Sequence, residues 1–267
     1  MPTLTIPDSP DINYVRTGAR GGTPIFFVHA LGLDLSVWEA QFLEFGSQRD
    51  LIAIDLPGHG LSGDLNAAPS FTAMADVVIK VINLLDIGPV HLVGISVGGM
   101  IAQTVAVTRP ELITSLTLIA TSCTFAEPVR NVVRERAQLV REHGMDFIIP
   151  RHLERWFPTG FRQQRPDLLD RFAKILLQQR SQFHAGMWDM VATLDTAHQL
   201  KTLRCPVIVI AGEDDPSATP AAGQFIVDQL EDAKLVTIPF SGHFPQIEYP
   251  TEFNSVMRAF ITQVEET

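Results

Sequence analysis

Cysteine is scarce in this chain: Cys123 and Cys205 are the only two among 267 residues. Two distant thiols make neither a disulfide framework nor a metal-binding cluster, so a reduced, cytoplasmic protein is expected. Long apolar runs are lacking as well. No stretch approaches the ~18 apolar residues of a membrane span. The N-terminal MPTLTIPDSPDINYVRTG has no basic segment leading into an apolar one, so no secretory signal is expected. Positive charge is in deficit, with 20 Lys and Arg against 30 Asp and Glu and a formal charge of -10. Such a chain is a poor general partner for nucleic acid or for an anionic membrane surface. Internal repeats and low-complexity segments are also missing.

What is present suits a globular domain. Apolar residues make up 46% and charged residues 19%, enough for a sizeable core in one large domain or in one domain with an insertion. Short apolar runs alternate with helical spacing. IFFVH (25–29), LIAID (51–55), VHLVG (90–94), LTLIA (116–120), VIVIAG (207–212) and KLVTI (234–238) read as buried strands. Helices are expected after Ser36, read as an N-cap, from about Thr72 to Asp86, and after Gly98. Continuous apolar strands alternating with helices indicate an α/β fold, a mostly parallel sheet with helices on both faces.

One region breaks the rhythm. Residues 122–203 hold no clear strand pattern and read as a helical cap inserted between two strands. The core then comprises 1–121 and 204–267. Residues 130–180 carry 11 of the 20 Lys and Arg but 6 of the 30 Asp and Glu, a net +5, which leaves -15 for the remainder. The expectation is a basic lid on an acidic body.

GISVG (94–98) fits G-x-S-x-G with a strand before it and a helix after it. A sharp strand-to-helix turn strains the central residue and crowds the positions two away, which glycine relieves. Ser96 is thereby presented as a nucleophile. A serine hydroxyl needs a base, and the base needs an orienting acid, in the chain order Ser, Asp or Glu, His. His243, in FSGHFP after the last strand, is the candidate base. The acid should follow VIVIAG, where Asp215 is favoured and Asp214 stays open. The N–H groups of Leu31 and Val97 are the candidate oxyanion donors. His29, Asp55 and His59 are expected to be structural.

HALGLDLSVWEAQ, GHGLS, GISVGGMIAQ, LERWF, AGEDDP and SGHFPQIEYPTEFN together resemble the α/β-hydrolase superfamily over nearly the whole chain. Within it the chain is similar to the 3-oxoadipate enol-lactonases. It departs from them at His29-Ala30, in an acid loop one residue longer, and at valine after Ser96. The resemblance implies the α/β-hydrolase fold, no cofactor, and a small, anionic enol-lactone of aromatic catabolism as substrate. It also implies a role in substrate binding for Arg155 and Trp156. Related chemistries share these motifs: carboxylesterases, other lactonases, cofactor-free perhydrolases and carbon–carbon bond hydrolases. A ligand-binding protein on the same fold is the non-catalytic alternative. A homo-oligomer is compatible with the sequence.

Overall fold

The computed structural model describes residues 2–267. Its sheet has eight strands: β1 (Thr3–Leu4), β2 (Ile12–Gly18), β3 (Ile25–Val28), β4 (Asp50–Ile54), β5 (Val90–Ile95), β6 (Ile113–Ile119), β7 (Val207–Gly212) and β8 (Ala233–Ile238). The order across the sheet is β1-β2-β4-β3-β5-β6-β7-β8. The first two strands are antiparallel to their neighbours, and every pairing from β4 to β8 is parallel. β3, β4, β5 and β7 are buried along their whole length, as their unbroken apolar sequences require. Phe26 and Val28 face one core layer and Ile25 and Phe27 the other, so each strand feeds both.

Helices cover both faces. α1 (Glu39–Phe45) and α11 (Pro250–Glu265) contribute to one layer. α2 (Phe71–Leu84), α3 (Val97–Thr108) and α9 (Pro220–Val227) contribute to the other. Ser70 caps α2 by accepting from Ala73 N–H, and Thr219 caps α9 by accepting from Ala222 N–H ahead of Pro220. The cap expected at Ser36 falls elsewhere. Asp34 accepts from Ser36 N–H and starts a 3-10 turn, Leu35–Trp38, that leads into α1. The short Asp side chain reaches two residues ahead, which places the true start earlier. α10 (Pro245–Glu248) lies between β8 and α11.

Between β6 and β7 come five helices: α4 (Glu127–Trp156), α5 (Thr159–Gln164), α6 (Pro166–Leu177), α7 (Ser181–Val191) and α8 (Ala197–Leu200). α4 bends at Gly144, which sits at φ 76°. α4 packs on α7 and α6. An isolated antiparallel bridge, Thr124 to Asp195, ties the two ends of this segment together. Arg130 reinforces the tie by donating to the carbonyls of Ala192 and Leu194.

Two close pairs of histidines are buried. His29 and His59 belong to the loops after β3 and β4, with ring centroids 5.1 Å apart. His152 (α4) and His184 (α7) belong to the helical layer, 5.5 Å apart. Burial lowers the imidazole pKa to about 4 for His29, about 3 for His59, about 3 for His152, and well below the ordinary value for His184. His29, His59 and His152 are therefore mostly neutral in the folded protein at pH 5, and His184 is shifted in the same direction, whereas the unfolded chain takes up a proton at ~6.5. A lowered folded-state pKa contributes stability that is complete above pH ~6.5 and drains away as the pH falls toward 4, at up to ~1.4 kcal/mol per pH unit per histidine. The buried carboxyls of Asp55 and Glu248 are pushed up by burial and offset part of this loss. Thermal melts between pH 8 and pH 4.5 should show a melting temperature that holds above pH 7 and falls steeply below pH 6.5. A flat profile would contradict this account.

Candidate active site

The site lies where strand order reverses. From β3 the chain moves to β4 on one side and then returns to β5 on the other, which opens a crevice at the carboxyl ends of β3 and β5. Ser96 stands at the end of β5, with φ 54° and ψ -120°, and α3 begins at the next residue. This is an unfavourable backbone for any residue with a side chain. It is held because the neighbours leave no other path. A Cβ at Gly94 would lie 2.4 Å from Gly98 O, and one at Gly98 would lie 2.3 Å from Val28 O. Ser96 N–H donates to Ile119 O at 2.8 Å, and Thr121 Oγ1 donates to Ser96 O at 2.8 Å. The turn is thus tied to β6 on both sides.

His243 and Asp215 meet behind β7 and β8. His243 Nδ1 and Asp215 Oδ2 are 2.7 Å apart, and both residues are buried. The other carboxylate oxygen, Oδ1, accepts from Ser217 N–H at 2.7 Å. Burial pushes the Asp215 carboxyl up. The His243 charge and hydrogen bond, with the N–H groups of Ser217 and Ala218, outweigh burial and hold it below the usual carboxylate value. Asp214 is exposed, its N–H bonded to Ser241 O. Asp215, not Asp214, therefore stands against the imidazole. His243 N–H donates to Trp156 O at 2.8 Å, so the helical layer helps to hold the histidine loop.

Ser96 and His243 line one cavity, of about 80 Å³, together with Leu31, Val97, Arg155 and Trp156. All the sequence-predicted site residues except the buried Asp215 reach it. Val97 opens α3, so its N–H is among the first-turn donors that no helical carbonyl can satisfy. Arg155 is only half-buried. It donates through Nε to Ser217 Oγ at 2.6 Å and through Nη2 to Pro216 O at 3.3 Å. One edge of its fork is therefore spent on the loop that carries Asp215. Trp156 stacks on His152 at 5.2 Å and meets Phe244 edge-on.

Of the residues expected to be structural, none lines the cavity of Ser96 and His243, and His59 Nδ1 lies 3.0 Å from Pro57 O. His29 Nε2 accepts from Leu56 N–H. Asp55 accepts from the N–H groups of Leu35 and Leu61 and from Asn13. Among the described residues, no group of three or more His, Cys, Asp or Glu could hold a metal ion, and no helix is long and apolar enough to cross a membrane.

Several site residues were invisible to motif reading: Thr121, Arg136, His152, Ser217 and Glu248. Their roles arise from contacts between distant segments. Glu248 is the clearest case. Its Oε2 accepts from Gly242 N–H at 2.8 Å and its Oε1 accepts from Phe244 N–H at 2.9 Å, so one carboxyl grips both sides of His243. Burial pushes it up to about 7, against those N–H groups and the His243 charge. The only sequence signal was an acid five places after His243 in a turn whose other residues pack inward.

A strained serine turn between strand and helix, a His–Asp pair and a cavity at the carboxyl edge of such a sheet suit a hydrolase, and the comparisons agree. Residues 25–256 match the model of the alpha/beta hydrolase family, and the chain belongs to that family. It is 31% identical to 3-oxoadipate enol-lactonase 2 of Acinetobacter baylyi (strain ATCC 33305 / BD413 / ADP1), over 96% of this chain and 95% of that one. It is 26% identical to the (E)-2-((N-methylformamido)methylene)succinate hydrolase of the same organism, over 97% of each. Among solved structures, a thermophilic esterase from Thermogutta terrifontis, malate bound, superposes with a TM-score of 0.91 at 25% identity, over 99% of each chain.

Glu248→Gln replaces one acceptor oxygen with an NH2 that faces an N–H, so one of the two loop bonds is lost. Above pH ~8, where a carboxyl pushed up to about 7 is ionised, a charged hydrogen bond of this kind is worth about 1.5–3 kcal/mol. Hydrolysis of p-nitrophenyl acetate should show kcat reduced at least ~tenfold with KM changed much less. An unaltered kcat in a folded variant would mean that the His243 loop holds itself.

Proposed function

We propose that the protein is a serine hydrolase that opens a small, carboxylate-bearing enol-lactone, as 3-oxoadipate enol-lactonases do in aromatic catabolism. The observation that carries this reading is the 2.7 Å pair of His243 and Asp215 beside the cavity onto which Ser96 also opens. Ser96 attacks the lactone carbonyl while His243 takes its proton. Asp215 holds the imidazole by Nδ1 and balances the charge that it gains. The oxyanion forms against the N–H groups of Leu31 and Val97, each worth roughly a hundred- to a thousandfold in rate. The C–O bond of the ring breaks, and the enol oxygen leaves with the proton from His243. Water, deprotonated by the same base, then attacks the acyl-serine, and Ser96 recovers its proton. Trp156 forms part of the apolar wall, and Arg155 offers the free edge of its guanidinium to the substrate carboxylate.

The relatives support an acid-bearing substrate. One is named for an oxoadipate lactone, another for a succinate derivative, and the esterase structure was obtained with malate. That esterase likeness favours a second reading, a carboxylesterase for small acyl groups in the same pocket. The two readings separate in a screen of lactones and esters ranked by kcat/KM, with 3-oxoadipate enol-lactone included. A lactone at the head of the ranking supports the first reading, and simple esters at the head support the second.

Ser96→Ala should abolish hydrolysis with the circular dichroism spectrum unchanged, and a fluorophosphonate should label Ser96 in the native enzyme. Retention of more than a few per cent of activity would remove Ser96 from the nucleophile's role. Asp215→Asn should lower kcat by orders of magnitude through loss of the correct imidazole tautomer, whereas the exposed Asp214→Asn should lower it little. The reverse order would assign the orienting role to Asp214.

A further inference from the structure

Arg136 lies on α4, half-buried, and lines the same cavity as Ser96 and His243. It differs from the other arginines of the helical layer. Arg141, Arg165, Arg171 and Arg180 pair with carboxylates, and Arg130 and Arg162 are held by backbone carbonyls. Among the described residues, no carboxylate or hydrogen-bond acceptor is bonded to Arg136. Its neighbour is an aromatic face, with the guanidinium carbon 5.2 Å from the Trp188 ring centroid. Burial, with the like charge of Arg155, lowers its pKa to about 10.

The cavity itself supplies no counter-charge. No Asp or Glu lines it, while two guanidiniums do. Arg155 has its bonds to the acid loop, and His152 is kept neutral by burial and by both arginines. Arg136, His152 and Arg155 also line a groove on the far side of the same wall. They therefore form the partition between that groove and the cavity. The nearby acids Glu135 and Glu154 are exposed and line only the groove. An unpaired, partly desolvated cation beside apolar walls is costly until an anion meets it.

We propose that Arg136 is the residue that sets substrate specificity in this pocket, its guanidinium seating a carboxylate of the substrate while Ser96 attacks the far end. The inference rests on the serine-hydrolase reading and deepens it. It requires a substrate with an anionic arm and an electrophilic carbonyl in one small molecule, whether the carbonyl belongs to a lactone or to an ester. Trp188 holds the guanidinium plane, and the carboxylate takes the N–H groups that no protein acceptor occupies.

The test compares two esters of similar length, the anionic mono-p-nitrophenyl ester of glutaric acid and neutral p-nitrophenyl pentanoate. Adipate serves as a competitive inhibitor of p-nitrophenyl acetate hydrolysis. The wild-type enzyme should prefer the anionic ester and be inhibited by adipate. Arg136→Met should lower the anionic-to-neutral ratio of kcat/KM at least ~tenfold and weaken adipate by a similar factor, with Arg136→Lys recovering part of both. The proposal is overturned by a wild-type enzyme that shows neither preference nor inhibition, a result that does not depend on any variant folding. It is equally overturned if folded Arg136→Met keeps the wild-type ratio, whatever Arg155→Met does. A lost ratio in an enzyme that opens no lactone would sink the lactone reading and leave Arg136 standing. Lactone opening with an unchanged ratio would do the opposite.

Discussion

The close approach of α3 to β3 is the constraint on which the rest of the site depends. Gly94 and Gly98 bring two backbone segments nearer than any Cβ permits, and the strain falls on Ser96, at φ 54°. The strain is sustained by a scaffold of fully buried parallel strands, with β6 holding the turn through Ile119 and Thr121. Two consequences follow at once. The serine hydroxyl stands clear of its own backbone, and the N–H of Val97 becomes the open end of a helix.

The helical layer is more than a cover. Trp156 O holds His243 N–H, and Arg155 bonds to Ser217 and Pro216, beside the Asp215 carboxylate. The loops of His243 and Asp215 are therefore each braced by the end of α4. Glu248 grips the His243 loop from the other side. A displacement of this layer would be felt at the imidazole and at the cavity together. A buried His–Asp pair suits such bracing, because a misplaced partner in a low-dielectric site leaves a charge uncompensated.

Electrostatics divide the molecule along the same line. The body is acidic, the residues of α4 to α6 are basic, and the cavity between them holds guanidiniums but no carboxylate on its walls. Desolvation, with the charges of Arg136 and Arg155, keeps His152 neutral.

Much was legible in the sequence because it is written in local patterns. Apolar runs of five or six residues gave away the parallel sheet, since strands buried on both faces cannot alternate. The G-x-S-x-G turn announced itself because only glycine tolerates the crowding, and the order of Ser96, the acid loop and His243 follows from strand order. Tertiary structure decided what depends on register between distant segments. It placed Asp215 rather than Asp214 on His243, because adjacent residues of a loop point to opposite sides and only packing decides which one faces inward. It spent one edge of Arg155 on Ser217 and left Arg136, whose spacing on α4 looks like any solvated arginine, without a partner. It also closed Glu248 around His243. A side chain's neighbours come from packing among elements far apart in the chain, and no local period records them.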